Sequence, residues 1–204
     1  MTSTSATRPS VTTRASLLEA GTNLILEKGY NHCGLDEILR AAGVHKGSFY
    51  HFFANKEDFA LQVVAQYAEQ TLANLDRELG DTSLPPLARL RRYYEAACRR
   101  HEERGYRKGC LFGNLGQEMA DQSEAFRTRL EEVLSEYRRR IAACLREAQE
   151  VGELRKDLDA DRLAGFCHNS WEGAILRMKV AKSCEPLADF LFVMFETVLR
   201  SPPQ

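Results

Sequence analysis

The sequence predicts an all-α protein, and three observations lead to this fold class. Apolar residues recur every three or four positions along nearly the whole chain, as at Ala60, Val64, Ala68 and Leu72. The alternation of apolar and polar residues that marks a β-strand is missing. Residues that start and stop helices stand between the periodic stretches. The resulting pattern is a group of three short helices followed by six longer ones.

The N-terminal helices are bounded by cap and stop residues. The spacing predicts helices over 13–29, 35–42, 45–52 and 56–79. Gly43 can adopt the left-handed conformation that ends a helix, so the next helix begins by His45. Asn55 is a favourable N-cap residue, with Asp58 three positions later. Residues 1–12, which are rich in Ser and Thr, are predicted to form a disordered tail.

The C-terminal part repeats the pattern over longer stretches. Its predicted helices span 86–103, 109–120, 123–151, 160–181 and 186–200. The segment "FLFVMF", residues 190–195, is apolar on every side, so a terminal helix there must bury two faces. We expect one face to pack on its own core and the other on a partner, which predicts a homodimer through residues of about 160–200. The alternative is burial of both faces within one subunit.

Composition narrows the class of protein. The 204 residues are 44% hydrophobic, enough for a sizeable core, and the net charge of -1 argues against a protein that binds polyanions through its overall charge. Six cysteines are scattered without a CxxC pair, and no apolar run reaches the ~20 residues of a membrane span. We therefore expect a cytoplasmic protein without a membrane segment. No metal site and no cofactor is predicted.

One short stretch departs from the charge balance. Residues 38–56 contain three Lys or Arg and no acid. The helix expected over 45–52 has only two turns, so Phe49, Phe52 and Phe53 would anchor it to the core while its polar residues point away. The outward residues are then Lys46, Gly47, Ser48, Tyr50 and His51.

These outward residues suit a DNA groove. Lysine and serine can reach base edges or phosphates, and tyrosine and histidine can donate hydrogen bonds to phosphate oxygens. Gly47 lets the backbone approach the DNA closely. Lys56 lies in the first turn of the following helix, where backbone amides already favour an anion such as phosphate. A solvated helical hairpin without a function is the alternative interpretation.

The segment "GYNHCGLDEILRAAGVHKGSFYHFFANKEDF" resembles the helix-turn-helix of the TetR family of bacterial transcriptional repressors, over about residues 13–59. The resemblance implies an N-terminal three-helix DNA-binding domain over 13–59 and a C-terminal ligand-binding and dimerisation domain over 60–204. It also implies a homodimer that binds double-stranded operator DNA and is released by a small-molecule inducer. Cys33-Gly34 stands where the family usually has Thr or Ser, so the cap of the second helix should be weak.

Three C-terminal segments resemble one branch of this family. They are "REAQEVGEL", "KGCLFGNLGQEMAD" and "WEGAILRMKVAKS", and the branch includes the repressor of N-ethylmaleimide reductase and the repressor of acrylate utilisation. The resemblance implies an electrophilic or unsaturated inducer, with Cys110 and Lys179 as sensing residues.

Cys110 also has a physical argument in its favour. It would begin a helix just after Lys108, and both a helix N-terminus and a nearby cation favour thiolate over thiol. A buried cysteine that acts only as a small hydrophobe is the alternative. Trp171 is a candidate ligand contact, although a core tryptophan is the simpler interpretation. Its neighbour Glu172 is likewise a candidate ligand contact, although a solvated acid is the simpler interpretation and the expectation.

The sequence thus predicts a ligand-responsive repressor without catalytic residues. One rival is an enzyme that uses Cys110 as nucleophile, but no His/Asp constellation with a fixed signature accompanies that cysteine. Another rival is a non-specific architectural DNA-binding protein, which conflicts with the near-neutral charge.

Overall fold

The fold of residues 11–200, given by a computed structural model, is all-α, as predicted. Within these residues the helices are α1 (Val11–Lys28), α2 (Leu35–Ala42), α3 (Lys46–Phe52), α4 (Lys56–Leu79), α5 (Pro86–Glu103), α6 (Leu111–Met119), α7 (Glu124–Glu150), α8 (Ala160–Ala181) and α9 (Glu185–Val193). Helix α1 begins two residues before its predicted start. The remainder of the predicted tail, residues 1–10, lies outside the described residues. A single π-helical turn, Met194–Val198, continues α9.

The cap residues act largely as their chemistry predicts. Gly43 follows α2 in the left-handed region, with φ 65°. The Asn55 side chain accepts a hydrogen bond from the Asp58 amide at 2.8 Å and so starts α4. Gly34 precedes α2 without a side-chain cap, as expected for Cys33-Gly34. The helix boundaries are therefore set locally, by single residues.

The buried residues form two apolar clusters. The first joins α1, α2 and α3 to the start of α4, to α6 and to the first half of α7. The second joins α5, the second half of α7, α8 and α9. Cys110, directly before α6, packs against both clusters. Helix α6 therefore belongs to the N-terminal cluster in space, although it follows α5 in the chain.

Aromatic side chains occupy the centre of each cluster. In the first, the Phe59 ring lies 5.3 Å from Phe49 and 4.9 Å from Phe53, centroid to centroid. In the second, Tyr94 lies 4.9 Å from both Trp171 and Phe190. These rings bury large apolar areas and fix the helices that carry them. Among residues 11–200, no helix combines the length and apolar character needed to cross a membrane.

Candidate nucleic-acid interface and ligand cavities

Helix α3 separates its core residues from its polar ones. Phe49 is fully buried, and Phe53 directly after the helix is buried with it, while Phe52 is half-buried. Lys46, Gly47, Tyr50 and His51 are exposed, and Ser48 is half-buried. The aromatic anchors thus hold a two-turn helix with one polar face directed away from the protein.

The exposed face of α3 has the chemistry of a DNA contact. The Tyr50 side chain is 53% exposed, and its ring packs edge-on against Phe49 with centroids 5.4 Å apart, which restrains it in an outward position. No atom lies within 4 Å of the position that a Cβ on Gly47 would occupy, so a second molecule has room to approach the backbone there. Together these residues present hydrogen-bond donors over two helical turns.

Lys56 already has partners within the protein. Its Nζ donates a hydrogen bond to the Tyr30 carbonyl oxygen at 2.7 Å and lies 4.3 Å from the centroid of the Tyr30 ring. Lys56 is half-buried and fastens the segment after α1 to the start of α4. An ammonium group has three donors, so a phosphate contact remains a prediction for this residue.

Two cavities lie among α4 to α8, and the end of α1 borders one of them. We call the first the inner cavity; it has a volume of about 150 Å³, and its walls include Arg100, His101, Cys110, His168, Trp171 and Glu172. We call the second the outer groove; it has a volume of about 630 Å³, and its walls include Lys28, Gly109, Cys110, Glu118, Glu172 and Lys179. Cys110 and Glu172 line both spaces and form part of the wall between them.

The three predicted sensor residues are divided between these spaces. Cys110 lines the inner cavity together with Trp171 and the outer groove together with Lys179. Trp171 and Lys179 do not line the same space. Trp171 is also a core residue, because it is buried against Tyr94 and Phe190. The interpretation as a core tryptophan is confirmed, and a ligand contact stays a prediction for this residue.

The expectation of a thiolate at Cys110 is wrong for this conformation. Burial, followed by the nearby Glu172 carboxylate, raises the pKa of the Cys110 thiol well above its usual value. Lys108 does not compensate, because its Nζ donates instead to Asn23 Oδ1 at 2.7 Å. The helix N-terminus is present as predicted, but burial outweighs it. Cys110 is therefore a neutral thiol in the wall between the cavities.

The expectation that Glu172 is a solvated acid is also wrong. Its carboxyl adjoins Cys110 and lies so close to α6 that a Cβ on Gly113 would be 2.7 Å from Glu172 Oε2. Burial raises the pKa of this carboxyl above its usual range.

Two histidines of the inner cavity went unnoticed in the sequence. Burial lowers the pKa of His101 and of His168 to about 4, so both imidazoles are neutral at pH 7. The Nδ1 atom of each is buried without a hydrogen-bond partner. Their only sequence signal is a position on an apolar helix stripe, which does not distinguish a cavity residue from a packed one.

Three polar contacts join the α6 region to the end of α1. The Asn31 amide donates to Glu118 Oε2 at 3.0 Å, and Asn114 Nδ2 donates to the Leu26 carbonyl oxygen at 3.4 Å. The third is the hydrogen bond from Lys108 to Asn23. Gly29 has φ 82°, and a Cβ there would lie 2.0 Å from Glu118 Oε1. The wall of the outer groove is thus connected directly to the helix that supports α3.

Apolar side chains remain exposed on α8 and α9. The exposed fractions of Leu176 and Phe192 are 63% and 65%, and Phe166, Val180 and Val193 are also exposed. Phe190 and Met194 face the core of their own subunit. The terminal helix therefore has one buried face and one uncovered apolar face. Within residues 11–200, no cluster of His, Cys, Asp or Glu could hold a metal ion.

Comparison with known families assigns both parts of the chain. Residues 17–63 match the family described as bacterial regulatory proteins, tetR family. Residues 86–194 match the family described as tetracyclin repressor-like, C-terminal domain.

Comparison with individual proteins gives the same assignment. The transcriptional regulator AcuR of Cereibacter sphaeroides is 48% identical over 86% of this chain and 80% of that protein. The HTH-type transcriptional repressor DhaR of Mycobacterium sp. (strain GP1) is 39% identical over 92% of this chain and 93% of that protein. The repressor NemR of Escherichia coli is 31% identical over 88% of this chain and 90% of that protein.

Two solved structures share the fold closely. The regulatory protein TetR from Rhodobacter sphaeroides aligns with a TM-score of 0.85 at 47% identity and covers 87% of this chain and 94% of that chain. The reduced form of Escherichia coli NemR aligns with a TM-score of 0.83 at 29% identity, over 94% of this chain and 98% of that chain.

Proposed function

Because this chain belongs to the TetR family of transcriptional regulators, we propose that it represses transcription as a homodimer bound to a palindromic operator, and that a small molecule releases it. The observation that carries this proposal is the exposed polar face of α3 above the buried Phe49 and Phe53. The relatives are regulators rather than enzymes, which removes the alternative of a nucleophilic enzyme.

Residues 13–59 would form the DNA-reading unit. Lys46, Gly47, Ser48, Tyr50 and His51 would enter the major groove, and Lys56 would contact a phosphate with the donors that Tyr30 leaves free. Two such units related by a two-fold axis require inverted half-sites about one helical turn apart, or a multiple of it. A palindromic operator follows from this symmetry.

Residues 60–204 would bind the inducer and form the dimer. The exposed apolar residues of α8 and α9, within the predicted interval of 160–200, supply a self-complementary surface for a second copy. Leu176→Glu and Phe192→Glu should each give a monomer in analytical ultracentrifugation, because each places a charge in a desolvated interface. A soluble dimer from both variants would locate the interface elsewhere.

The inducer would bind beside Cys110 and Trp171, with Lys179 on the outer side of the same wall. Its class, by resemblance, is electrophilic or unsaturated. Because Cys110 lies at the junction of both apolar clusters, a molecule that displaces it would move α6 relative to α1 through the contacts of Glu118 and Lys108. By linkage, the factor by which the inducer weakens operator binding is the factor by which DNA weakens inducer binding.

Operator titration tests the DNA-reading residues. Lys46→Ala and Tyr50→Ala should each weaken binding to the operator by about tenfold or more, since each removes direct contacts to DNA. Lys156→Ala, an exposed lysine after α7, is the matched control and should bind as the wild type does. Unchanged affinity in both α3 variants, measured by fluorescence anisotropy, would overturn the proposed reading surface.

Inducer release tests the sensor residues separately. If the inducer forms a covalent bond, Cys110→Ser should stay on the operator in the presence of enals or quinones that release the wild type. If it binds reversibly, Cys110→Ser should still respond and Lys179→Ala should not. A double variant that is released normally would exclude both residues from sensing.

A further inference from the structure

Glu172 is a half-buried acid without a cationic partner. Among residues 11–200 no Lys, Arg or His forms an ion pair with its carboxylate, and its identified side-chain neighbour is the Cys110 thiol. Lys179, two turns further along α8, lines the outer groove but does not pair with Glu172. Buried carboxylates are normally paired or hydrogen-bonded, because losing hydration is costly. The compensation for this carboxylate, which borders two cavities, is a hydrogen bond from the Cys110 thiol. A thiol is a weak donor and a carboxylate can accept several hydrogen bonds, so Glu172 keeps free acceptor capacity.

His101 presents a second acceptor to the inner cavity wall. One ring nitrogen donates a hydrogen bond to the Lys108 backbone carbonyl. This bond raises the imidazole pKa, as expected for a donating ring, but burial lowers the pKa by more. The other nitrogen, Nδ1, is buried without a partner. A neutral imidazole carries one proton, so Nδ1 offers a lone pair. His101 therefore lacks a donor, and Glu172 can accept one in addition to the Cys110 thiol.

The size of the inner cavity limits what can supply that donor. Its volume of about 150 Å³ matches cavities that accept a molecule of the size of benzene, roughly six non-hydrogen atoms. Aromatic residues form much of its wall, among them Phe112, Tyr137 and Trp171. A ligand of this size can bury an apolar chain against the rings and direct one polar group to Glu172.

We propose that the inner cavity binds a short-chain molecule that donates an N–H or O–H hydrogen bond to the Glu172 carboxylate, such as a primary amide or an alcohol. A carboxylic acid enters only together with a proton, because two carboxylates cannot share the site. The proposal rests on the proposed function only in identifying this cavity as the inducer site; binding itself is measured without DNA.

Other charged and titratable groups around Glu172 suggest a competing interpretation of the inner cavity, as a site for an anion. The groups that line the two spaces beside it are Tyr67 of α4; Tyr93, Arg100 and His101 of α5; Arg104 directly after α5; Cys110; Tyr137 of α7; His168 and Lys179 of α8; Glu118 of α6; and Glu27 and Lys28 of α1. Arg100 and Arg104 would attract an anion from solvent. An anion held by these arginines, away from Glu172, is therefore the competing outcome.

Three saturated probes of equal size separate the possibilities. Propionamide has a donor and no charge, propionate has a charge and no donor, and butanone has neither. Trp171 is the single tryptophan of the chain and lines the cavity, so its fluorescence reports binding there. We expect propionamide to bind about tenfold more tightly than butanone, the effect of one well-placed hydrogen bond. Propionate should bind more tightly as the pH falls, with uptake of one proton.

Glu172→Gln provides the decisive variant, because it keeps the side-chain size and adds an amide donor. Propionate should bind this variant about tenfold more tightly than the wild type at pH 7, and its proton uptake should disappear. Glu150→Gln, an exposed glutamate at the end of α7 that lines neither space, is the matched control and should keep the wild-type order of the probes. Circular dichroism verifies the fold of both variants.

Three outcomes would overturn the proposal: butanone binding as tightly as propionamide, propionate binding to the wild type without proton uptake, or Glu172→Gln leaving the order of the probes unchanged. Failure of the proposed function has a different signature. In that case the probes would bind as expected while the protein would bind no operator.

Discussion

The α3 surface and the inner cavity differ in whether the residues that stabilise the fold are also the residues available to a binding partner. On α3 the residues that hold the fold and the residues that face outward are different, and neighbours in sequence such as Phe49 and Tyr50 have unrelated environments. In the inner cavity, Tyr137 and Trp171 are core residues and wall residues at once. Recognition and stability are therefore separable at one site and linked at the other.

This difference teaches which substitutions can be interpreted simply. A change on the exposed face of α3 should alter the proposed contacts with DNA and little else. A change in the cavity should alter the proposed ligand contacts, the packing and the ionisation of buried groups together. The predictions below test this contrast, from the largest expected effect to the smallest.

The largest effect is expected for Phe49→Ala. Phe49 is fully buried between Phe53 and Phe59, so its loss leaves a cavity and should lower the free energy of unfolding by about 3–5 kcal/mol. Tyr50→Ala, one residue later, should leave unfolding nearly unchanged, because its side chain is largely exposed. Chemical denaturation of both variants measures the contrast. Similar losses in the two would show that α3 does not separate core from surface.

A smaller effect is expected from acid. The buried His101 and His168 have pKa values of about 4, against about 6.5 in the unfolded chain. Between these pH values the unfolded state binds more protons, so stability falls as the pH falls from about 6.5 to about 4. The loss should approach about 2–3 kcal/mol for each imidazole.

Carboxyl groups also titrate in this range, so the test compares variants. His101→Gln and His168→Gln cannot take up the proton, and each should flatten the pH dependence of unfolding measured by denaturation. His51→Gln on the exposed face of α3 is the control and should keep the wild-type profile. If all three variants follow the wild-type profile, the cavity imidazoles do not limit stability in acid.

The smallest effect separates two lysines of the proposed DNA-reading unit. Lys56→Met removes the hydrogen bond to the Tyr30 carbonyl and the contact with its ring, and should cost about 1 kcal/mol in unfolding free energy. Lys46→Met changes an exposed residue and should cost little. A thermal melt of Lys56→Met that matches the wild type would mean that Tyr30 does not restrain this lysine.

The helices could be predicted from the sequence because their determinants are local. Gly43 and Asn55 act within one turn of their own positions, and the apolar stripes follow helical spacing. The outward face of α3 could be predicted for the same reason, since its residues are consecutive. Even there Tyr30, which holds Lys56, was not foreseen, because it lies 26 residues away in the chain.

The cavities could not be predicted in this way, because their walls combine side chains from several helices. Lys108 was expected to favour a thiolate at Cys110, two residues away, but its side chain turns to Asn23. The acid that does adjoin Cys110 is Glu172 of α8, which is distant in sequence but adjacent in space. Residue spacing does not show where a side chain such as Lys108 points or how deeply a thiol is buried. These two properties decide whether the thiol ionises.

Gly29 limits which amino-acid substitutions this protein can accumulate in evolution. Its backbone conformation, with φ 82°, disfavours any side chain, and the carboxylate of Glu118 fills the space that a side chain would need. The backbone is the harder obstacle, because the Glu118 carboxylate is the end of a flexible side chain and can turn away. Asn and Asp adopt left-handed conformations more readily than other residues with a side chain. A saturation library at position 29 should therefore return mostly glycine among functional clones, followed by Asn and Asp.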